Sequence, residues 1–320
     1  MDIIQTLAQQ LNLTAEQVGK TVQLIDEGNT IPFIARYRKE VTGSLDDSVL
    51  RTLDEKLTAL RNLAQRKQEV QDLIGAQGKL TEEVRAAIER AATVTEVDDI
   101  YRPFRPKRKT RASVARERGL EDLAILLFAQ EKSYTPSIEE QAARFVDPER
   151  EVPDVAAALQ GAMDIVAEEV SDNADYRREL RRLTFDAGSL TSKAAKEEDS
   201  VYAMYYDFSE PLRKLPGHRI LAINRGEKEE FLKVALTVPE DVVLGYLYNR
   251  VLSGNRSPAE PYVREAVTDA YNRLIAPSIE REIRNDLFDT ACEGAIKVFS
   301  DNLRQLLLQP PIKGKVGMSP

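Results

Sequence analysis

Tryptophan is absent from this chain of 320 residues, and histidine and cysteine occur once each, as His218 and Cys292. A single histidine excludes His-rich metal sites, so zinc would have to rest on carboxylates, an uncommon ligand set for a structural ion. A single cysteine excludes an internal disulfide and suits a reducing compartment. Cys292 lies on a helical pattern with no activating neighbour and reads as a small buried hydrophobe. No apolar run approaches the ~20 residues that cross a bilayer, and Met1-Asp-Ile-Ile-Gln5 lacks the basic-then-apolar pattern of an export signal. The expectation is a cytoplasmic protein with no membrane partner. Phosphate-cradling loops and nucleophile elbows are missing too: there is no G-x-x-x-x-G-K-[ST], G-x-G-x-x-G or G-x-S-x-G. No cofactor, metal or catalytic residue is expected, and the chain reads as a non-enzyme.

Charge is plentiful, at 31% of residues, and the net charge of −8 gives a field that repels nucleic acid as a whole. Any such binding has to be local. One stretch stands against the acidic background, Tyr101-Arg-Pro-Phe-Arg-Pro-Lys-Arg-Lys-Thr-Arg111, continued by Arg116 and Arg118. Pro103 and Pro106 fix their own φ and bias Arg102 and Arg105 towards extended backbone, which makes the stretch a stiff connector between helices. Two readings compete. In one, successive cations meet phosphates and Tyr101 or Phe104 stacks on an unpaired base. In the other, Tyr101 and Phe104 fill a groove between helices and Arg102 pairs with Asp98 or Asp99. The second reading suits Tyr101 to Phe104, whereas Lys107, Arg108, Lys109 and Arg111 are dense enough to be hard to neutralise internally and, with Arg105, remain the cationic candidates. A second candidate group, Arg36, Arg38 and Lys39, lies in Thr30-Ile-Pro-Phe-Ile-Ala-Arg-Tyr-Arg-Lys-Glu40, apolar first and then cationic, whose first half is expected to be buried while the second half faces something charged.

The periodicity predicts a mostly α protein, an elongated multi-helical assembly with at most one short β element, near 229–238. Thr14-Ala-Glu-Gln17 is a capping box, with Gly28 as the stop of its helix. Leu50, Leu53, Leu57, Leu60, Ala64, Lys67, Val70 and Ile74 alternate threes and fours, one stripe on a long helix. Thr81 and Thr95 are read as further N-caps, and Asp46-Asp47 and Asp98-Asp99 as acids at helix starts. From 155 to 190 the pattern gives one helix or two, with a break at Ser171-Asp-Asn173. Leu215 to Gly226 reads as a short helix, and a last long helix ends at Gln309-Pro-Pro311. The charged run 193–200 suggests a soft boundary, giving regions 1–198 and 199–311.

Several blocks resemble the bacterial transcription accessory protein Tex family. They are Phe33-Ile-Ala-Arg-Tyr-Arg-Lys-Glu40, Ile100 to Arg111, Ala115-Arg-Glu-Arg-Gly-Leu120, Asp207-Phe-Ser-Glu-Pro-Leu212, His218-Arg219 with Asn224-Arg-Gly-Glu227, Arg273 to Glu282, and Asn302 to Pro311. The resemblance implies an N-terminal helical region with helix-turn-helix-like elements. Family members are more than twice this length and continue into a YqgF-type ribonuclease-H-like domain, helix-hairpin-helix elements and an OB-fold RNA-binding domain. Residues 312–320 match the start of the first of these, so a fragment, a truncated product and a natural short form all stay open. The implied role is a helical scaffold of a protein that in full form binds RNA or DNA and supports transcription. Its partners would be RNA or DNA, held weakly or with the help of the missing domains, and the transcription or translation machinery. The alternative is a protein–protein interaction module with no nucleic-acid binding of its own.

Overall fold

A computed structural model describes residues 2–106, 109–196, 198 and 200–309. The chain forms two compact units, Met1–Pro106 and Lys107–Pro320.

The first unit contains α1 (Ile3–Leu11), α2 (Ala15–Asp26), α3 (Ile31–Tyr37), α4 (Lys39–Thr42), α5 (Asp47–Ala76), α6 (Glu82–Arg90) and α7 (Val94–Tyr101). Local chemistry sets these bounds. The capping box at Thr14 forms as the spacing predicts, and Asp46 accepts from the Val49 amide at 2.9 Å to start α5. With 30 residues, α5 is the spine of the unit. Its first half buries Leu53 and Leu57 against Leu7, Val18 and Val22, and Leu50 against Leu24, Ile34 and Leu45. Its second half packs Leu63, Val70 and Ile74 against Ile88, Ala91, Val97 and Tyr101. Lys67, on the predicted stripe, is indeed buried. Its ammonium donates to the Glu89 carbonyl at 2.7 Å, at the C-terminal end of α6, where unpaired carbonyls favour a cation.

Three local expectations need correction here. Thr93, rather than Thr95, caps α7, accepting from the Glu96 amide at 3.2 Å. Asp98 and Asp99 consequently lie within α7 and do not start it. Arg102 is helical (φ −51°, ψ −45°) despite the following proline, because a single 3-10 turn over Arg102–Phe104 continues α7 and the Arg105 amide bonds the Tyr101 carbonyl at 3.1 Å. Arg105 is extended, as the proline after it requires.

The second unit opens with α8 (Arg111–Glu117), α9 (Glu121–Ala129) and α10 (Ile138–Ala142). Its central helix is α11 (Val155–Asp172), which buries Ala158, Ala162, Val166, Ala167 and Val170 against α8, α9 and later helices. The chain breaks at Asn173, whose side chain caps α12 (Ala174–Ala187). Then come β1 (Ser189–Ala194), β2 (Asp207–Pro211), α13 (Gly217–Lys228), β3 (Leu232–Thr237), α14 (Glu240–Val251) and α15 (Glu260–Asp269). A π-helical segment, Ala270–Ile275, leads into α16 (Ala276–Leu307).

The fold is mostly α, but the β content exceeds the one element expected. The three strands form an antiparallel sheet in the order β2-β1-β3, with Leu190 facing Glu210 on one side and Leu236 on the other. Only β3 has the sequence of a strand. In β1 and β2, Ser, Lys, Asp, Glu and Pro carry little β preference, and pairing with distant segments supplies what propensity does not. Pro211 is tolerated at the end of an edge strand. The boundary expected near 198 falls between β1 and β2, two strands of one sheet. Cys292 is half-buried on α16, not a core residue. Among the described residues, no helix is long and apolar enough to cross a membrane, and no group of His, Cys, Asp and Glu could hold a metal ion.

Candidate nucleic-acid interface

Within the first unit the cationic candidates fall in two places. Arg36, Arg38 and Lys39 stand together where α3 passes into α4. Ile34 anchors α3 in the core beside Leu50, near the start of α5. Arg105 follows the Tyr101 corner, which packs near Val70, so about 30 Å of helix rise separates the two places. Lys109 and Arg111 belong to the second unit, and Lys107 and Arg108 lie outside the described residues.

The start of the basic stretch is a packed corner. Tyr101 is buried, with the Arg66 guanidinium 5.8 Å from its ring centre, and Phe104 packs on the same cluster. Of the two acids expected to meet Arg102, Asp98 is held by Arg66 at 2.6 Å and Asp99 is buried. Further on, much of the positive charge is answered within the second unit. Arg116 bonds Glu168 at 2.6 Å and Glu169 at 2.9 Å, and Arg118 pairs with Glu151. Thr110, the cap of α8, also donates to Glu168, at 3.0 Å. Burial pushes the Asp164 carboxyl up, and the nearby positive charges of Arg273 and Arg111 oppose that shift. Arg111 therefore has a buried acid within electrostatic reach, which the sequence did not reveal.

The α3 group differs. The first half of Thr30–Glu40 was expected to be buried, yet only Ile34 is fully so and Phe33 is 37% exposed; Tyr37, in the second half, is 62% exposed. This seven-residue helix packs on the core through Ile34, with Ile31 and Ala35 partly buried beside it, and Phe33 and Tyr37, four apart, share a face that is left open. Their ring centres are 5.2 Å apart, tilted by 46°. The Arg38 guanidinium lies 5.5 Å from the Phe33 ring centre and that of Arg36 lies 6.0 Å from that of Tyr37, within cation–π range. Among the described residues, Arg36, Arg38, Lys39 and Arg105 make no ion pair. The backbone beneath is fixed: Gly43 closes α4 with φ +68°, and the Thr42 hydroxyl donates towards the Arg38 and Lys39 carbonyls at 3.3 Å. Phe33 is the partner the residue pattern did not single out; its i,i+4 relation to Tyr37 was the available signal.

Fold and site together define a class: a predominantly helical protein of two units, with a small antiparallel sheet and an exposed aromatic–cation cluster on its third helix. Comparison with known proteins gives the family. Residues 1–75 match the Tex-like protein N-terminal domain and residues 133–299 match the Tex central region-like model. The chain belongs to the Tex family. It is 43% identical to the uncharacterized protein YdcI of Bacillus subtilis (strain 168), over 99% of this chain and 44% of that protein. It is 37% identical to the transcriptional accessory protein Tex of Neisseria gonorrhoeae, over 97% of this chain and 42% of that one. It is 30% identical to the human S1 RNA-binding domain-containing protein 1, over 99% of this chain and 33% of that one. The chain thus spans less than half the length of these curated relatives.

Proposed function

We propose that this chain is a non-enzymatic helical scaffold of a Tex-like transcription accessory protein, and that it contacts single-stranded RNA or DNA through the α3–α4 cluster. The observation that carries the reading is the exposed Phe33–Tyr37 pair with Arg36 and Arg38 beside the rings and Lys39 next in the chain, none of the three cations making an ion pair among the described residues. Exposed rings offer stacking faces to unpaired bases, and cations without an ion-pair partner among the described residues are available to phosphates. The names of the relatives, one a transcriptional accessory protein and one an S1 RNA-binding domain-containing protein, support the same direction. The helix-turn-helix-like elements expected of the family are not required, since these cations sit on α3 and α4.

The test is binding of a labelled single-stranded oligonucleotide across a range of salt. Replacing Arg36, Arg38 and Lys39 by Glu is expected to lower affinity and to flatten the salt slope by about 0.7 for each phosphate no longer neutralised. Tyr37→Ala is expected to cost about 1–3 kcal/mol with the slope unchanged. Unaltered affinity and slope in both variants would sink the assignment. A second reading, a module that meets protein only, is favoured by Ile296, Phe299, Leu303 and Leu307, exposed on the last turns of α16. It requires that the intact chain bind no nucleic acid even at low salt and co-purify with a protein partner.

A further inference from the structure

Helices α13 and α16 pack antiparallel: a Cβ added at Gly217 would sit 3.4 Å from Ala291, and Glu227, near the other end of α13, pairs with Arg284. Along this seam runs a cleft of about 320 Å³, lined by Asn224 of α13 and by Glu280, Arg281, Arg284, Asn285 and Phe288 of α16. Below it a narrower crevice of about 20 Å³ shares Asn224 and Arg284 and has an apolar floor of Leu190, Ile220, Ile223, Val234 and Leu287.

The charges around the cleft are not equivalent. Glu280 accepts from the Leu236 amide of β3 at 3.1 Å, and Arg284 is held by Glu227 and lies 4.0 Å from Glu280. These groups balance one another. Arg281, by contrast, is exposed and makes no ion pair among the described residues, and no protein group among them bonds the side-chain amides of Asn224 and Asn285. Phe288 shows 36% of its surface at the rim. The cleft therefore presents one free guanidinium, two amides that each donate and accept, and one aromatic face.

We propose that this cleft takes a nucleoside phosphate unit, either as a free nucleotide or as one unpaired nucleotide of a single strand. Each available group has a counterpart there. A guanidinium matches phosphate oxygens, amides match the polar edge of a base, and a ring stacks on its face. Inorganic phosphate alone would leave both amides and the ring unused and would fill little of the volume. The proposal does not rest on the α3 cluster, which lies in the other unit.

The experiment is photocrosslinking of the intact chain with 4-thiouridine monophosphate and with a short single-stranded oligonucleotide carrying 4-thiouridine, followed by peptide mapping and titration. Crosslinks are expected on α13 or on α16 between Pro277 and Phe288. Arg281→Glu and Asn285→Leu, both at exposed positions, are expected to weaken binding about tenfold or more, with inorganic phosphate and uridine binding less tightly than the nucleotide. Crosslinking by the mononucleotide identifies a free-nucleotide site, and crosslinking by the oligonucleotide only identifies a strand contact. Variants at Arg36 and Arg38 leave the mononucleotide arm unchanged, so failure of the α3 reading is separable from failure here. Crosslinks confined to other elements, or affinity kept within about twofold by both cleft variants, would overturn the proposal.

Discussion

Arg273 offers the sharpest test of how the second unit holds its buried charge. It sits in the π-helical segment, its Nε donates to both Asp269 oxygens at 3.0 Å, and its Nη2 reaches Asp164 of α11 at 3.4 Å. The two acids differ in exposure, the Asp269 side chain at 35% and that of Asp164 at 11%. The i,i+4 pair with Asp269 is therefore worth only a few tenths of a kcal/mol, and most of the effect of losing Arg273 comes from Asp164. Arg273→Met keeps the bulk and removes the charge, which leaves a desolvated carboxylate with Arg111 as its remaining counter-charge. Losing a partly buried charged hydrogen bond costs about 2–3 kcal/mol at neutral pH, below the range for fully buried pairs. For a unit of this size that corresponds to a fall in Tm of about 4–12 °C.

The pH dependence of this variant follows from the direction of the shift. Burial pushes the folded Asp164 pKa above its ordinary 3.8, so the native state keeps the proton better than the unfolded chain does. For such an acid, stability is greatest at low pH and is lost as pH rises from the unfolded pKa through the folded one. Removing Arg273 raises the folded value further and deepens the loss at neutral pH. The deficit of Arg273→Met should therefore shrink on acidification towards pH ~4, and Asp164→Asn added to it should recover about 1 kcal/mol or more at neutral pH. Urea denaturation of the single and double variants at the two pH values measures both. A deficit below about 0.5 kcal/mol, or a double variant no more stable than Arg273→Met, would refute the reasoning.

Other outcomes follow from single residues. Burial pushes the Tyr271 phenol up to about 12, so the folded chain keeps this proton while the unfolded chain loses it near 10. Stability should fall by up to about 1.4 kcal/mol per pH unit between these values, and Tyr271→Phe should reduce the slope in alkaline denaturation. Gly188 ends α12, where a Cβ would lie 2.3 Å from the Thr184 carbonyl oxygen, a backbone atom that cannot yield without opening the helix end. Gly188→Ala should destabilise by about 1–3 kcal/mol in thermal unfolding; an unchanged Tm would contradict this. Arg61 donates two hydrogen bonds to Asp26, at 2.7 and 2.8 Å, but both side chains are nearly half exposed. Arg61→Ala should accordingly cost no more than about 1 kcal/mol, and the effect should diminish in high salt.

The sequence alone determined the helices and the family. Capping at Thr14, Asp46 and Thr81, the stripe along α5 and the break at Asn173 are interactions between residues three or four apart, and they are legible wherever the residues are adjacent in the chain. Tyr101 could likewise be read as a packed corner, because two prolines stiffen the backbone around it. The tertiary structure decided the features that depend on distant partners. Strands β1 and β2 have no strand-like sequence and exist through their pairing. The division into two compact units after Pro106 is likewise a matter of which residues pack together. Most of all, the fold decided which cations remain available. Arg116 and Arg118 find acids more than thirty residues away, whereas Arg36, Arg38 and Lys39 find none among the described residues and stand beside two exposed rings. A basic residue in a sequence is only a charge; whether it is neutralised depends on which acids folding brings within reach.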